Sequence, residues 1–197
     1  QAHGVAVMVL AQDLASPDGP QAVFDAVQEA GVEVELLVNN AGFGGRGKFN
    51  ERDWATDHAM IQLNVVALAA LTRLFLPGFV ARNHGRVLNV SSTASLVPGP
   101  LQAVYYATKA FVTSFSNAVA EELHDTAVTV TALLPGATET EFAKVSDMAE
   151  TELFQSTSPA RDVALAGYEG MLAGRLNVLA GLSFSQRIVM GLAPMVP

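Results

Sequence analysis

The feature that most constrains this chain is an alternation. Short apolar runs of strand length, most of them ending in a small polar cluster, are separated by stretches with helical periodicity. Val5 to Leu10, Val34 to Val38, Arg86 to Val90 and Val128 to Leu134 are such runs. They are largely apolar throughout instead of alternating with polar residues, which is the pattern of strands buried on both faces of a parallel sheet. Between them, Gln21 to Ala30 sets Val23, Phe24 and Val27 on one helical face, with Asp18 or Ser16 as cap and Gly31 as stop. Glu51 to Arg82 reads as a second helix anchored by Trp54, Met60, Ile61, Leu63 and Leu68, its end disturbed by Pro77-Gly78, and Leu101 to Leu123 as a third. One or two helices between Glu141 and Leu172, a weak strand at Asn177 to Ala180 and an apolar tail complete the pattern. Strand alternating with helix predicts an α/β fold on a parallel sheet.

The 197 residues fit one domain spanning 1–197, and a net charge of -8 disfavours nucleic acid or an anionic membrane as partners, because both need clustered Lys and Arg. With no cysteine there is no disulfide framework, thiol nucleophile or thiolate metal site. His3, His58, His84 and His124 lack metal-ligand spacing, so no metal is expected. The run Val65 to Val80 is interrupted by Thr72, Arg73 and Pro77 and reads as a buried helix, not an integral membrane span. The chain opens Gln1-Ala2-His3, which looks like a cut with no secretory signal, and a cytoplasmic setting is expected. The tail from Leu176 to Pro197, with Leu182, Phe184, Ile188, Val189, Met190 and Leu192, is expected to join the core or an interface.

In open parallel sheets ligands bind outside the carboxyl ends of the strands. Asp13, Asn39-Asn40, Ser91-Ser92 and Pro135-Gly136 each follow a strand-like run, so together they outline one site. Tyr105 and Lys109 are four apart on a helix and share a face, with Cβ atoms about 5 to 6 Å apart. A free tyrosine ionises near pH 10, too high for proton exchange at neutral pH. An ammonium about 4 Å away, worth about 4 kcal/mol at an effective dielectric of 20, would bring it down into a useful range before desolvation is subtracted. Ser92, thirteen residues before Tyr105 at the end of a strand, could hydrogen-bond the same substrate oxygen; Ser91 and Tyr106 are rivals that do not keep both spacings.

Asn39-Asn40-Ala41-Gly42, Asn64, Asn89-Val90-Ser91-Ser92, Tyr105-Tyr106-Ala107-Thr108-Lys109 and Pro135-Gly136 resemble, in order and spacing, the motifs of short-chain dehydrogenases/reductases. The resemblance implies a Rossmann-like, doubly wound parallel sheet in a three-layer α/β/α arrangement. It implies hydride transfer between NADP or NAD, with NADP favoured, and a small-molecule carbonyl or alcohol. It makes Tyr105 the general acid or base, has Lys109 lower the tyrosine's pKa and hold the nicotinamide ribose, has Ser92 orient the substrate oxygen, and has Asn64 hold a relay water. It sets Asp13 and Leu14 against the adenine, Asn40, Ala41 and Gly42 along the cofactor, and Pro135, Gly136, Thr138 and Thr140 at the nicotinamide amide. Residues 141–172 match the family's substrate lid, where Phe142, Met148, Leu153 and Phe154 favour an apolar ketone or 3-oxoacyl substrate. A homodimer or homotetramer through the helices of Asn64 and Tyr105 is implied as well.

Gly42-Phe43-Gly44-Gly45-Arg46-Gly47 matches G-x-G-x-x-G, but the Asn39 to Gly42 register makes it a loop near the site instead of the dinucleotide fingerprint. The family's opening strand, Gly-rich turn and helix, and second strand do not appear in this sequence. In the family's order 3-2-1-4-5-6-7 they would lie between Val5 to Leu10 and Val34 to Val38, leaving exposed edges there. The chain is therefore expected to be a fragment that binds cofactor poorly by itself. The alternatives are a non-catalytic relative serving as a binding or scaffolding module, and an inert truncation; the intact Ser92, Tyr105 and Lys109 argue against the first.

Overall fold

The computed structural model describes residues 4–148, 157–183 and 186. The strands are β1 (Leu36–Asn39), β2 (Arg86–Val90), β3 (Thr129–Pro135), the short β4 (Thr138–Glu139) and β5 (Ser158–Pro159), and β6 (Asn177–Ala180). The main sheet is parallel throughout, in the order β1-β2-β3-β6, while β4 and β5 pair separately. The helices are α1 (Gly19–Glu29), α2 (Trp54–Ile61), α3 (Leu68–Arg82), α4 (Ala103–Glu122), α5 (Phe142–Val145) and α6 (Ala160–Leu172), with a π-helical turn at Gln62–Ala67 joining α2 to α3.

The two faces of the sheet carry separate cores, as the period of two requires. Val87 and Val130, opposite each other in the register, pack with Leu71, Phe75 and Phe79 of α3 and Val119 of α4. Leu88, Leu133, Val178 and Ala180 point the other way, onto Val163 and Met171 of α6. The result is a three-layer α/β/α arrangement. The steps β2 to β3 and β3 to β6 move in the same direction across the sheet, yet α4 and α6 lie on opposite faces. The two crossovers therefore have opposite hands, and one departs from the right-handed rule.

Several expectations need correction. Val5 to Leu10 is not a strand: it is irregular and exposed, because no described strand lies beside it to pair with. The strand expected from Val34 begins only at Leu36. Asp18 sits at the N-cap of α1 but its side chain makes no capping bond, and Ser16 donates instead to the Asp13 carbonyl at 2.7 Å. Pro77 does not disturb the end of its helix, which continues to Arg82. A mid-helix proline costs about 3 kcal/mol, whereas burial of Phe75 and Phe79 on either side returns about 1.5–3 kcal/mol each. The continuous helical stretch Trp54–Arg82 is consequently 29 residues long, enough by length and composition to cross a membrane. Leu68, Leu71, Phe75 and Phe79 nonetheless bury one side of it in the core, as in a helix of a globular protein. Leu153 and Phe154, and Phe184, Ile188, Val189, Met190 and Leu192 of the tail, lie outside the described residues.

Candidate active site

The carboxyl ends of β1, β2 and β3 open on one cavity of about 480 Å³. Asn40, Gly42, Ser92, Tyr105, Lys109, Pro135, Gly136, Thr138 and Thr140 all border it, so most of the residues singled out in the sequence converge. The rest of the wall includes Val97, Gln102, Tyr106, Phe142, Met148, Val163 and Ala164. Of these, Gln102 was legible in principle, three residues before Tyr105 at the N-cap of the same helix. Val163 and Ala164 come from α6, far along the chain, and carry no local signal.

Tyr105 and Lys109 occupy successive turns of α4 and both are buried. The Lys109 ammonium donates to the Val90 carbonyl at the end of β2 at 2.8 Å and lies 5.9 Å from the centre of the Tyr105 ring. Burial pushes the Tyr105 phenol up to about 12; a hydrogen bond with Ser92 pulls it partly back, and Tyr106 adds to the rise. Desolvation is the largest cause, and Lys109 is not among the causes of the shift. The same burial brings Lys109 down to about 8. Ser92 caps a short 3-10 turn, Thr93–Leu96, accepting from the Ala94 amide at 3.1 Å. Ser91 also borders the cavity, but its hydroxyl is engaged with the Lys109 carbonyl at 2.9 Å and the Thr113 hydroxyl at 2.7 Å, which distinguishes it from Ser92.

Asn64 lies in the π-helical turn, a device frequent at functional sites. It does not border the cavity. Its amide nitrogen donates to the Phe43 carbonyl at 2.9 Å and to Thr108 at 3.1 Å, while its oxygen accepts from the Phe43 amide at 3.1 Å. The carboxamide is thereby committed to holding the loop after β1. Ala41 is exposed beside the cavity wall without lining it. Asp13 is exposed, its carboxylate accepting from the Ala15 amide, and Leu14 packs against the core; neither borders the cavity. Gly42 fits a close approach, since a Cβ there would lie 2.9 Å from Asn64 Oδ1 and 3.5 Å from Lys109 Nζ. The G-x-G-x-x-G run is indeed a loop: no helix opens at its end, and Gly45 and Gly47 close on the Arg52 side chain. The residues present suit the nicotinamide-ribose half of a dinucleotide: a buried ammonium with one donor spent, a glycine beneath it and polar strand-end loops opposite.

A parallel Rossmann-like sheet whose strand ends gather a tyrosine, a lysine and a serine around one cavity defines a class, that of the dinucleotide-linked oxidoreductases. The chain belongs to the short chain dehydrogenase family, whose sequence profile matches residues 1–151. It is 34% identical over 151 residues to the very-long-chain 3-oxoacyl-CoA reductase of Homo sapiens, covering 72% of this chain and 46% of that one. It is 44% identical over 117 residues to the NADP-dependent 3-hydroxy acid dehydrogenase YdfG of Escherichia coli K12, covering 57% and 46%. Among solved structures it resembles a short-chain dehydrogenase from Sphingobium yanoikuyae in complex with NADPH, with a TM-score of 0.83, 28% identity, and coverage of 100% of this chain and 78% of that one. The chain thus spans about half the length of the curated relatives it matches.

Proposed function

We propose that the protein carrying this chain reduces the carbonyl of an apolar substrate, a ketone or 3-oxoacyl compound, using NADPH or NADH. The observation that carries this is the buried Tyr105 phenol beside Ser92 and Lys109 in a cavity walled by Val97, Phe142, Met148 and Val163. The relatives, one a 3-oxoacyl-CoA reductase and one an NADP-dependent dehydrogenase, support the substrate class and the preference for NADP. Lys109, Asn40, Ala41, Gly42 and the loop Pro135 to Thr140 would hold the nicotinamide half, and Asp13 and Leu14 the adenine. The cofactor, when bound, supplies the hydride.

The chain's own residues supply the rest. Ser92 orients the substrate oxygen, and Tyr105 gives its hydroxyl proton to that oxygen as negative charge develops. Burial keeps the phenol protonated at neutral pH, the form from which Tyr105 donates in the reductive direction. Lys109, buried and brought down to about 8, can return a proton to the phenol near neutral pH. The carboxamide of Asn64 orders the loop over which a relay would run. Residues 141–172 would cover the substrate. An apolar groove of about 390 Å³ between Ile61, Val65, Val104 and Ala107 fits a homodimer or homotetramer contact, with the cytoplasm as the proposed compartment.

A second reading applies to the chain alone. No strand followed by a Gly-rich turn and helix occurs among the described residues, and β1 stands at the sheet edge. The 197 residues by themselves should bind the cofactor poorly. Fluorescence titration with NADPH and NADH, on this chain and on the whole protein, tests both readings. Tight binding to the whole protein and weak binding to the chain are expected. No binding to the whole protein would move the scaffolding alternative to first place.

A further inference from the structure

The loop Gly42 to Gly47 plays no part in the proton chemistry above, yet it is tied down on every side. Asn64 grips Phe43 through both of its backbone groups. Arg52 donates from one guanidinium nitrogen to the Arg46 carbonyl at 2.9 Å and from its others to Asp57 at 2.8 and 2.7 Å. This ion pair is not a surface pair: the side chains are only 15% and 2% exposed. Gly45 lies flat against the guanidinium, where a Cβ would meet Arg52 Nη2 head-on. The Gly47 amide donates to the Leu101 carbonyl at 2.8 Å, joining the loop to the segment that leads into α4. Arg52, Asp57 and Tyr105 border one cleft too narrow for water.

On its other side the loop seats the start of the segment after β4. A Cβ on Gly44 would lie 2.7 Å from the Phe142 ring and 2.9 Å from the Ser146 hydroxyl. The Phe142 ring in turn sits 5.3 Å from that of Tyr105, centre to centre, and borders the cavity. The loop is therefore the floor on which Phe142 rests beside the tyrosine. Its own conformation is fixed by a planar, forked cation whose separate nitrogens reach the Arg46 carbonyl and Asp57 at once, a spread that the single nitrogen of a lysine does not reproduce.

We propose that Arg52, locked by Asp57, is a positioning residue that determines substrate specificity: it holds the Gly44 to Gly47 loop so that Phe142 forms the apolar wall beside Tyr105. This rests on the carbonyl-reducing function proposed above. The effect belongs to the substrate's apolar part, because Arg52 bonds to the loop and to Asp57 and lies off the cavity wall.

The test uses the whole protein with Arg52→Lys, Gly44→Ala and the double variant, assayed with NADPH on acetoacetyl-CoA and on 3-oxopalmitoyl-CoA. Arg52→Lys keeps the charge beside Asp57, so the fold should survive. We expect KM for the long substrate to rise about tenfold with kcat within about twofold, and acetoacetyl-CoA to change by less than about threefold. Gly44→Ala should give the same pattern, and the double variant should add little, since both displace one ring. Hydrogen exchange at the Gly47 amide should quicken about tenfold in Arg52→Lys. Unchanged exchange, or an equal loss on both substrates, would overturn the proposal. If the unaltered protein reduces neither compound, the carbonyl-reducing reading fails on its own, and Gly47 exchange by itself then decides whether Arg52 holds the loop.

Discussion

Lys109 Nζ donates to the carbonyl oxygen of Val90 at 2.8 Å, which anchors the ammonium to the end of β2 and buries it beside Tyr105. Desolvation acts on each group separately: burial brings the Lys109 ammonium down to about 8 and pushes the Tyr105 phenol up to about 12.

Stability should therefore depend on pH in a particular direction. Between about pH 8 and 10 the unfolded chain keeps the Lys109 proton that the folded chain has lost, so stability rises with pH there. Above about pH 10 the unfolded chain loses the Tyr105 proton that the folded chain retains, so stability falls again. Urea midpoints measured across this range should pass through a maximum near pH 10. In Lys109→Met the rise should flatten; a midpoint that falls steadily from pH 8 would contradict the burial account.

Asn64→Ala strands both backbone groups of Phe43 and one partner of Thr108. Leaving partly buried polar groups unpaired should cost about 2 kcal/mol in urea unfolding. Amide exchange at Phe43 should quicken along with it. A variant as stable as the parent would mean that water replaces the carboxamide.

Gly170 of α6 faces β6, and a Cβ there would meet Val178 Cγ2 head-on. Alanine normally favours a helix over glycine by about 1 kcal/mol. Here the clash should win, and Gly170→Ala should lose about 1–3 kcal/mol. Adding Val178→Ala should recover part of that loss, which a thermal melt of the double variant would reveal.

The outcome of the sequence reading follows the same physics. β2, α4 and β6 were legible nearly to the residue because their apolar periods are long or their ends are marked by Ser91-Ser92, Pro98-Gly99-Pro100 and Gly181. Val5 to Leu10 has the composition of a strand, but a strand exists only with a neighbour, and composition cannot supply one. Pro77 looked like a stop because the cost of a proline is local while the burial of Phe75 and Phe79 is not. The convergence of Asn40, Ser92, Tyr105, Lys109 and Pro135 was legible because all follow strands or sit on the helix behind them. The sign of the tyrosine's pKa was not: Coulomb attraction can be argued from spacing, but desolvation depends on Phe142 and the rest of the wall, which folding alone brings there. The commitment of Asn64 to Phe43, and of Arg52 to Arg46, is likewise visible only in three dimensions.

The most direct test of the central claim is single-turnover reduction of a 3-oxoacyl-CoA by the NADPH-loaded whole protein, with and without Tyr105→Phe. The substitution removes one hydroxyl from a buried ring and should leave NADPH affinity within about twofold. It should slow turnover by about 10²- to 10⁴-fold, the contribution of a positioned general acid. Turnover within a few-fold of the parent would contradict the assignment of Tyr105 as the proton donor.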